Sequence, residues 1–303
     1  MSPISRQLSH ILPPATEPIP STPITIQLLS DIHLEVASQY ATYTFPPTDP
    51  YLLLAGDIGN LAHRAPYLTF LTSLLPNYTR TFLLLGNHEF YGFTYEEGIT
   101  AAENLVKEDV LEGKVTLLSK TRWDDVGSEL TILGCTLWSD VPRKSRDIVA
   151  YRLADFLHIK GWSVERHNAT HRQETAWLAA QLRQIIREDK AIRRASQTTD
   201  PKAPQPEKER KRKVLVVTHH APLMKGTAPR QESQPWAPAF ATALITPRRP
   251  WSRVAIWAFG HTHCSTSLTA GSTRVVANQR GYVFEGNWEP PDENFNPGFV
   301  IEM

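Results

Sequence analysis

The sequence predicts an α/β fold that collects its functional groups at the ends of strands. Two observations predict it. Short apolar, β-branched runs alternate with longer stretches of helical pattern. Five of those runs stop abruptly in clusters rich in Asp, His or Asn. Ligands of α/β sheets bind beyond the carboxyl ends of the strands, so clusters far apart in sequence can meet there.

Met1 to Pro23 contains Pro3, Pro13, Pro14, Pro18, Pro20 and Pro23 and lacks the unbroken apolar stretch of a secretory signal. A flexible arm is expected over 1–23 and a single domain over 24–303. Ile24 to Ser30 reads as a buried strand, as do Tyr51 to Ala55 and Thr81 to Leu85. Helical character lies between them, at Arg64 to Leu75 and Tyr95 to Leu111. Val115 to Leu118 and Leu130 to Leu137 predict further strands. His167 to Lys190 carries an apolar stripe of Ala176, Leu178, Ala179, Leu182, Ile185 and Ile186, and predicts a long amphipathic helix. The segment 194–213 breaks the pattern with Pro201, Pro204, Pro206 and the run Lys208-Glu209-Arg210-Lys211-Arg212-Lys213, and reads as a charged surface insertion. Val214 to Thr218, Val254 to Phe259, Val275 to Ala277 and Phe299 to Ile301 complete the strands.

The chain has 303 residues, 41% of them apolar, enough for a sizeable core. Its 32 basic and 31 acidic residues leave a formal charge of +1, which argues against a dedicated nucleic-acid or membrane-surface binder. No apolar run is long enough to span a bilayer. Cys135 and Cys264 form no CxxC pair, so a reducing, cytoplasmic setting is expected. The basic run leaves a nuclear address open. Cys135 reads as a small buried strand residue.

The strand-end clusters are Asp31-Ile32-His33, Gly56-Asp57, Gly86-Asn87-His88-Glu89, His219-His220 and Gly260-His261-Thr262-His263. They supply carboxylates, an amide oxygen and imidazoles, donors that suit Zn, Fe or Mn. A structural zinc site usually carries thiolates, and none is included here. Each cluster alone is weak evidence. The set, in one order and each at a strand end, is specific.

In these motifs the chain resembles the calcineurin-like metallophosphoesterase superfamily, with D-x-H, G-D, G-N-H-E, a later His and G-H-x-H in the same order. The resemblance covers Ile24 to Ile301. It is similar to a poorly characterised microbial branch in Gly134-Cys135-Thr136-Leu137-Trp138, Thr218-His219-His220-Ala221-Pro222 and Asn278-Gln279-Arg280-Gly281-Tyr282. Gln279 stands where that branch usually has Pro, so a local difference in that loop is expected.

The resemblance implies a four-layer αββα sandwich, two mixed sheets flanked by helices. It implies two metal ions drawn from Mn, Fe and Zn. Asp31, His33 and His263 would hold one, and Asn87, His219 and His261 the other, with Asp57 bridging. A strand read one residue out of phase would exchange His219 and His220. The implied reaction is phosphoester hydrolysis by a hydroxide between the cations, with His88 protonating the leaving oxygen or stabilising the transition state and Asp57 orienting it. Asn87, His220, Arg280 and Tyr282 are the candidate substrate contacts, and Glu89 a brace for its loop. His167 and His171, at i, i+4 spacing, read as an exposed or pocket-edge helix face. Trp123, Trp138, Trp236 and Trp251 read as packing residues.

A phosphodiesterase of small substrates such as cyclic nucleotides is the favoured function, with a phosphomonoesterase or protein Ser/Thr phosphatase as the alternative. A nuclease is disfavoured by the neutral charge. A non-catalytic scaffold is disfavoured by the complete ligand set.

Overall fold

A computed structural model describes residues 24–197, 212–245, 250–286 and 292–303. The expected N-terminal arm and residues 198–211 of the expected insertion lie outside the described residues.

Two mixed sheets carry the architecture. The first comprises β1 (Thr25–Leu29), β2 (Tyr51–Ala55), β3 (Arg80–Leu84), β4 (Val115–Leu118) and β11 (Val300–Glu302), in the order β11-β1-β2-β3-β4. Only the β1–β11 pairing is antiparallel. The second comprises β5 (Thr121–Asp124), β6 (Leu130–Cys135), β7 (Lys213–Thr218), β8 (Val254–Ala258), β9 (Thr266–Ala270) and β10 (Thr273–Ala277), in the order β5-β6-β7-β8-β10-β9. Its four central strands are parallel and its edges antiparallel. Parallel central strands are buried on both faces, which is why they read as continuous apolar runs.

Alternate side chains divide those runs between layers. Leu28, Leu53, Phe82, Leu84, Ile132, Leu215, Val217 and Ile256 form the core between the sheets. Leu29, Leu52, Leu54 and Leu83 face outward, onto Tyr67, Phe70 and Leu71 of α1 (Arg64–Leu74) and Ala102 and Leu105 of α2 (Tyr95–Val106). Leu133, Val214, Val216, Trp257 and Val275 face the other way, onto Leu178, Leu182 and Ile185 of α5 (Val164–Gln197). The four-layer sandwich is therefore present.

Several boundaries differ from the sequence reading. β6 stops at Cys135 because Leu137 and Trp138 adopt left-handed backbone, with φ of 71° and 50°. The helix α5 runs past Lys190 to Gln197, into the expected insertion. Its last turns are rich in Ala, Arg and Lys, which favour helix without an apolar stripe. Within the basic run, Arg212 forms ion pairs to Asp124 at 2.9 Å and Glu188 at 3.1 Å. The strands β5 and β9 and the helices α3 (Arg146–Arg152) and α4 (Asp155–His158) have patterns too short to read. His167 and His171 are not on an exposed face. Both are buried: His167 Nε2 lies 2.8 Å from Ser139 Oγ, and His171 Nδ1 donates to Leu137 O at 2.9 Å. Burial is the main force that holds both imidazoles below their usual pKa.

Leu215 is fully buried between the sheets. Leu215→Ala is expected to lower unfolding free energy by about 2–5 kcal/mol, read from the denaturant midpoint. A loss below about 1 kcal/mol would contradict this packing.

Candidate metal centre and active site

The carboxyl ends of β1, β2, β3, β7 and β8 meet at one edge of the sandwich. Asp31 and His33 follow β1, Asp57 follows β2, Asn87 and His88 follow β3, His219 follows β7, and His261 and His263 follow β8. The loops are tied by backbone bonds, Asp31 N to Gly56 O at 3.0 Å, His33 N to Asp57 O at 3.0 Å and Gly260 N to His219 O at 2.9 Å.

Such close approach needs a special backbone. Asp31, His33, Asp57, His261 and His263 all have positive φ, between 48° and 72°. Non-glycine residues rarely adopt this region, and each such position costs of order 1–3 kcal/mol. Gly56 (φ +90°) leads into Asp57, and a Cβ there would strike the His219 ring. At Gly260 a Cβ would collide with Ser30 Oγ and lie 2.6 Å from Asp31 Oδ2.

The donor atoms converge in overlapping sets. Asp31, His33 and His263 form one, and Asp57, His219 and His261 another, each with ligand atoms within 4.8 Å of one another. A third set joins His33, Asp57 and His88. His33 Nε2 lies 3.0 Å from His263 Nε2 and 3.7 Å from Asp57 Oδ2. His219 Nε2 lies 3.3 Å from Asp57 Oδ2 and 3.1 Å from Asn87 Oδ1. All seven expected ligands are thus brought together.

The surrounding groups fix which atom each ligand presents. His219 donates Nδ1–H to Ala55 O at 3.1 Å, leaving Nε2 toward Asp57. Asn87 donates its amide to Asp155 Oδ1 at 2.8 Å, which turns Asn87 Oδ1 to the centre. Glu35 Oε1 accepts from His33 Nδ1 at 3.0 Å and from His88 Nδ1 at 2.9 Å. Asp57 is not the group that orients the His88 ring through Nδ1. Glu35 holds the Nδ1 bond instead, while Asp57 Oδ1 accepts from the His88 backbone N–H at 2.9 Å. Glu35 and Asp155 were not among the expected site residues. Glu35 was visible only as a carboxylate two residues beyond D-x-H, and Asp155 lay in no motif.

Glu89 braces the turns after β2 and β3. Its carboxylate accepts from the backbone N–H of Asp57 (3.0 Å), Ile58 (2.8 Å), Gly59 (3.2 Å) and Gly86 (2.7 Å), and from Tyr67 Oη at 3.2 Å. Gln279 laces the G-H-T-H loop in a way that Pro could not. Its side chain accepts from His263 N at 2.6 Å and donates to Thr262 Oγ1 at 3.0 Å and Cys264 O at 3.1 Å.

Burial and mutual charge set the protonation. Burial would push the Asp57 carboxyl up, but His219 and His88 outweigh it and hold it well below the usual range. Burial opposes charge on His219 too, yet the Asp57 carboxylate raises it to about 10. A metal cation would answer the same negative potential. His261 and His263 are pushed down, first by burial and then by neighbouring imidazoles, His263 to about 3. Burial lifts Asp31 to about 6. Burial opposes ionisation of Glu35, but bonds from His33 and His88 carry it down to about 2. Against the desolvation that opposes it, Asp57 and Glu35 raise His88 to about 9.

These residues fit a metal pair. His261 Nε2 is buried without a hydrogen-bond partner among the described residues, beside Asp57 and His219. A bare buried nitrogen is costly unless something completes it. Neutral imidazoles, carboxylates and an amide oxygen are suitable donors for Mn, Fe or Zn.

Asp57, Asn87, His88, His261 and His263 line an open cleft of about 420 Å³. Tyr282 lines it too, its hydroxyl 3.0 Å from His88 Nε2. Two expected substrate contacts do not. Arg280 turns away and donates to Ile32 O at 3.0 Å and Gln39 Oε1 at 2.7 Å, over the Tyr43 ring. His220 is fully buried behind the centre, its ring 4.1 Å from that of His261. Trp236, expected only to pack, lines the cleft, whereas Trp138 is core.

Residues 24–265 match the family profile of the calcineurin-like phosphoesterases, Metallophos. The chain belongs to the calcineurin-like phosphoesterase family. Membership implies a phosphoester hydrolase, in a family that is typically dependent on two metals. A curated relative, uncharacterized protein L509 of Acanthamoeba polyphaga mimivirus, is 23% identical over 304 residues, covering 92% of this chain and 96% of its own. Among solved structures, the phosphopantetheinyl hydrolase PptH of Mycobacterium tuberculosis aligns with a TM-score of 0.54 at 17% identity, over 90% of this chain and 98% of that one. That likeness bears on the fold alone.

Removing the Glu89 brace strands several buried N–H groups of this phosphoesterase. Glu89→Ala is expected to lower stability by about 3 kcal/mol or more, with Glu89→Gln recovering part, as read by chemical denaturation. Full stability in the alanine variant would show that the turns hold without it.

Proposed function

We propose that this chain is a dinuclear-metal phosphodiesterase of small substrates, cyclic nucleotides among them. The observation that carries the reading is the unpartnered His261 Nε2 beside a buried, ionised Asp57, within a cluster of seven converging donors. Asp31, His33 and His263 would hold one cation, and Asn87, His219 and His261 the other, with Asp57 shared. When bound, such a pair lowers the pKa of water toward neutrality and offsets charge on phosphoryl oxygens.

The chain's own residues do the rest. Glu35 keeps a proton on His88 Nδ1, so Nε2 is the nitrogen turned to the cleft. The Asp57 and Glu35 carboxylates favour the protonated form of His88, which can give the Nε2 proton to a departing alkoxide. The Tyr282 hydroxyl, 3.0 Å away, accepts from Nε2 and fixes the ring before substrate displaces that contact. The diester preference rests on charge. Among the described residues lining the cleft, Arg152 is the sole Lys or Arg, and it belongs to α3 rather than to the strand-end motifs. The metal end thus suits a phosphate with one negative charge. The free cysteines Cys135 and Cys264 support a reducing, cytoplasmic setting.

Metal-stripped protein refilled with Mn, Zn or Fe is expected to cleave bis(p-nitrophenyl) phosphate with higher kcat/KM than p-nitrophenyl phosphate. The reverse order would make it a monoesterase, and no cleavage of either would overturn the hydrolase reading. His88→Ala should keep its metals by elemental analysis while kcat falls about 10²–10⁴-fold. Undiminished turnover would remove His88 from the reaction. Asp57→Asn should lose metal occupancy, and unchanged content would refute the shared-ligand assignment.

A further inference from the structure

The cleft extends beyond the strand-end motifs onto two segments that none of the ligand assignments uses. One is the end of α3 and the residues after it, from Arg152 to Asp155. The other is the stretch from Gln231 to Phe240. Across the cleft wall the Arg152 guanidinium lies over the Trp236 ring, with Cζ 4.5 Å from the ring centroid. Arg152 forms no ion pair among the described residues. A guanidinium over an indole face is attracted by the ring and can still donate N–H bonds to a planar or tetrahedral anion.

We propose that Arg152, seated on Trp236, is a specificity subsite for a second anionic group, a phosphate or carboxylate, carried by the substrate at the end remote from the scissile phosphorus. This inference rests on the phosphoester reading of the metal end and names the substrate class it takes.

Chain connectivity sets the reach. Asp155, three residues after Arg152, bonds to Asn87. Three residues span at most about 11 Å between α-carbons, and Arg152 lines the same cleft as Asp57, Asn87, His261 and His263. Phe240, four residues after Trp236, stacks on His261 at 4.9 Å and ties the other wall to the same centre. A cleft of about 420 Å³ accommodates a molecule of that length. Asp155, the carboxylate nearest in sequence, is buried: its Oδ1 accepts from Asn87 and Tyr91, its Oδ2 has no partner among the described residues, and burial is the main force raising its pKa, which favours the uncharged acid.

The test compares two product-type ligands that differ only in the remote anion. Adenosine 5′-monophosphate and adenosine 3′,5′-bisphosphate are titrated calorimetrically into manganese-loaded protein. The wild type is expected to bind the bisphosphate about tenfold or more tightly than the monophosphate, the range of one charge-assisted contact. Arg152→Gln should erase that ratio and leave monophosphate binding unchanged. Arg152→Lys should keep part of it, since the charge stays and the fork is lost. Trp236→Leu should shrink the ratio without abolishing metal content. Equal affinities in the wild type, or a ratio that survives in Arg152→Gln, would overturn the subsite. Generic ester cleavage with equal affinities would sink the subsite alone. An Arg152-dependent ratio in a protein that cleaves no ester would sink the hydrolase reading alone.

Discussion

The Asp57 carboxylate lies almost wholly out of water, with imidazole nitrogens of His33, His88 and His219 all within 4.0 Å of Oδ2. A carboxylate in such a place survives ionised only because surrounding positive charge outweighs the desolvation that opposes it. Each neighbouring feature serves that balance. Gly56 lets the chain turn so that Asp57 points inward, and Gly86 leaves the space where the carboxylate sits, since a Cβ there would strike Asp57 Oδ1. The backbone N–H of Asp57 itself is taken by Glu89. One buried charge therefore dictates two glycines, a left-handed residue and a second buried carboxylate.

The cluster is oriented from outside. Three carboxylates that would hold no metal in the proposed assignment, Glu35, Glu89 and Asp155, each accept from two or more groups of the centre or its loops. Their effect is geometric before it is electrostatic. An imidazole whose Nδ1–H is anchored has only Nε2 to offer, and an amide whose NH₂ is anchored has only its oxygen. Five positive-φ residues among the seven converging donors show the same economy in the backbone. The strain at the strand ends is offset by the cores on both sheet faces, which hold the strands rigidly enough to enforce it.

What the sequence revealed and what it hid divide along physical lines. The central strands were legible because burial on both faces makes them continuous apolar runs, and Asp31, Asp57, Asn87, His219 and His261 were legible because they stand where those runs stop. Glu89 was legible as part of the same motif. Glu35 and Asp155 were not, because their role depends on which way a side chain turns after the chain has folded. Arg280 misled for the same reason. It stands in a motif-bearing loop, yet its guanidinium serves Ile32 and Gln39 on the far side. His167 and His171 misled through their spacing, which fixes a common helix face and says nothing about whether that face is buried. β5 and β9 are edge strands with partly exposed residues, so their apolar pattern is diluted.

Chemistry and recognition come from different parts of this chain. The donors sit at the ends of core strands, where any shift of register would displace a left-handed residue and empty a ligand position. The remaining cleft walls come from connections, α3 with the residues after it and the segment preceding β8, whose side chains answer to no strand periodicity. Connections tolerate sequence change because few core contacts depend on them. A fold organised this way can keep one reaction fixed while the molecule it accepts changes. The Arg152–Trp236 pair proposed as a subsite lies on the connection side of that divide.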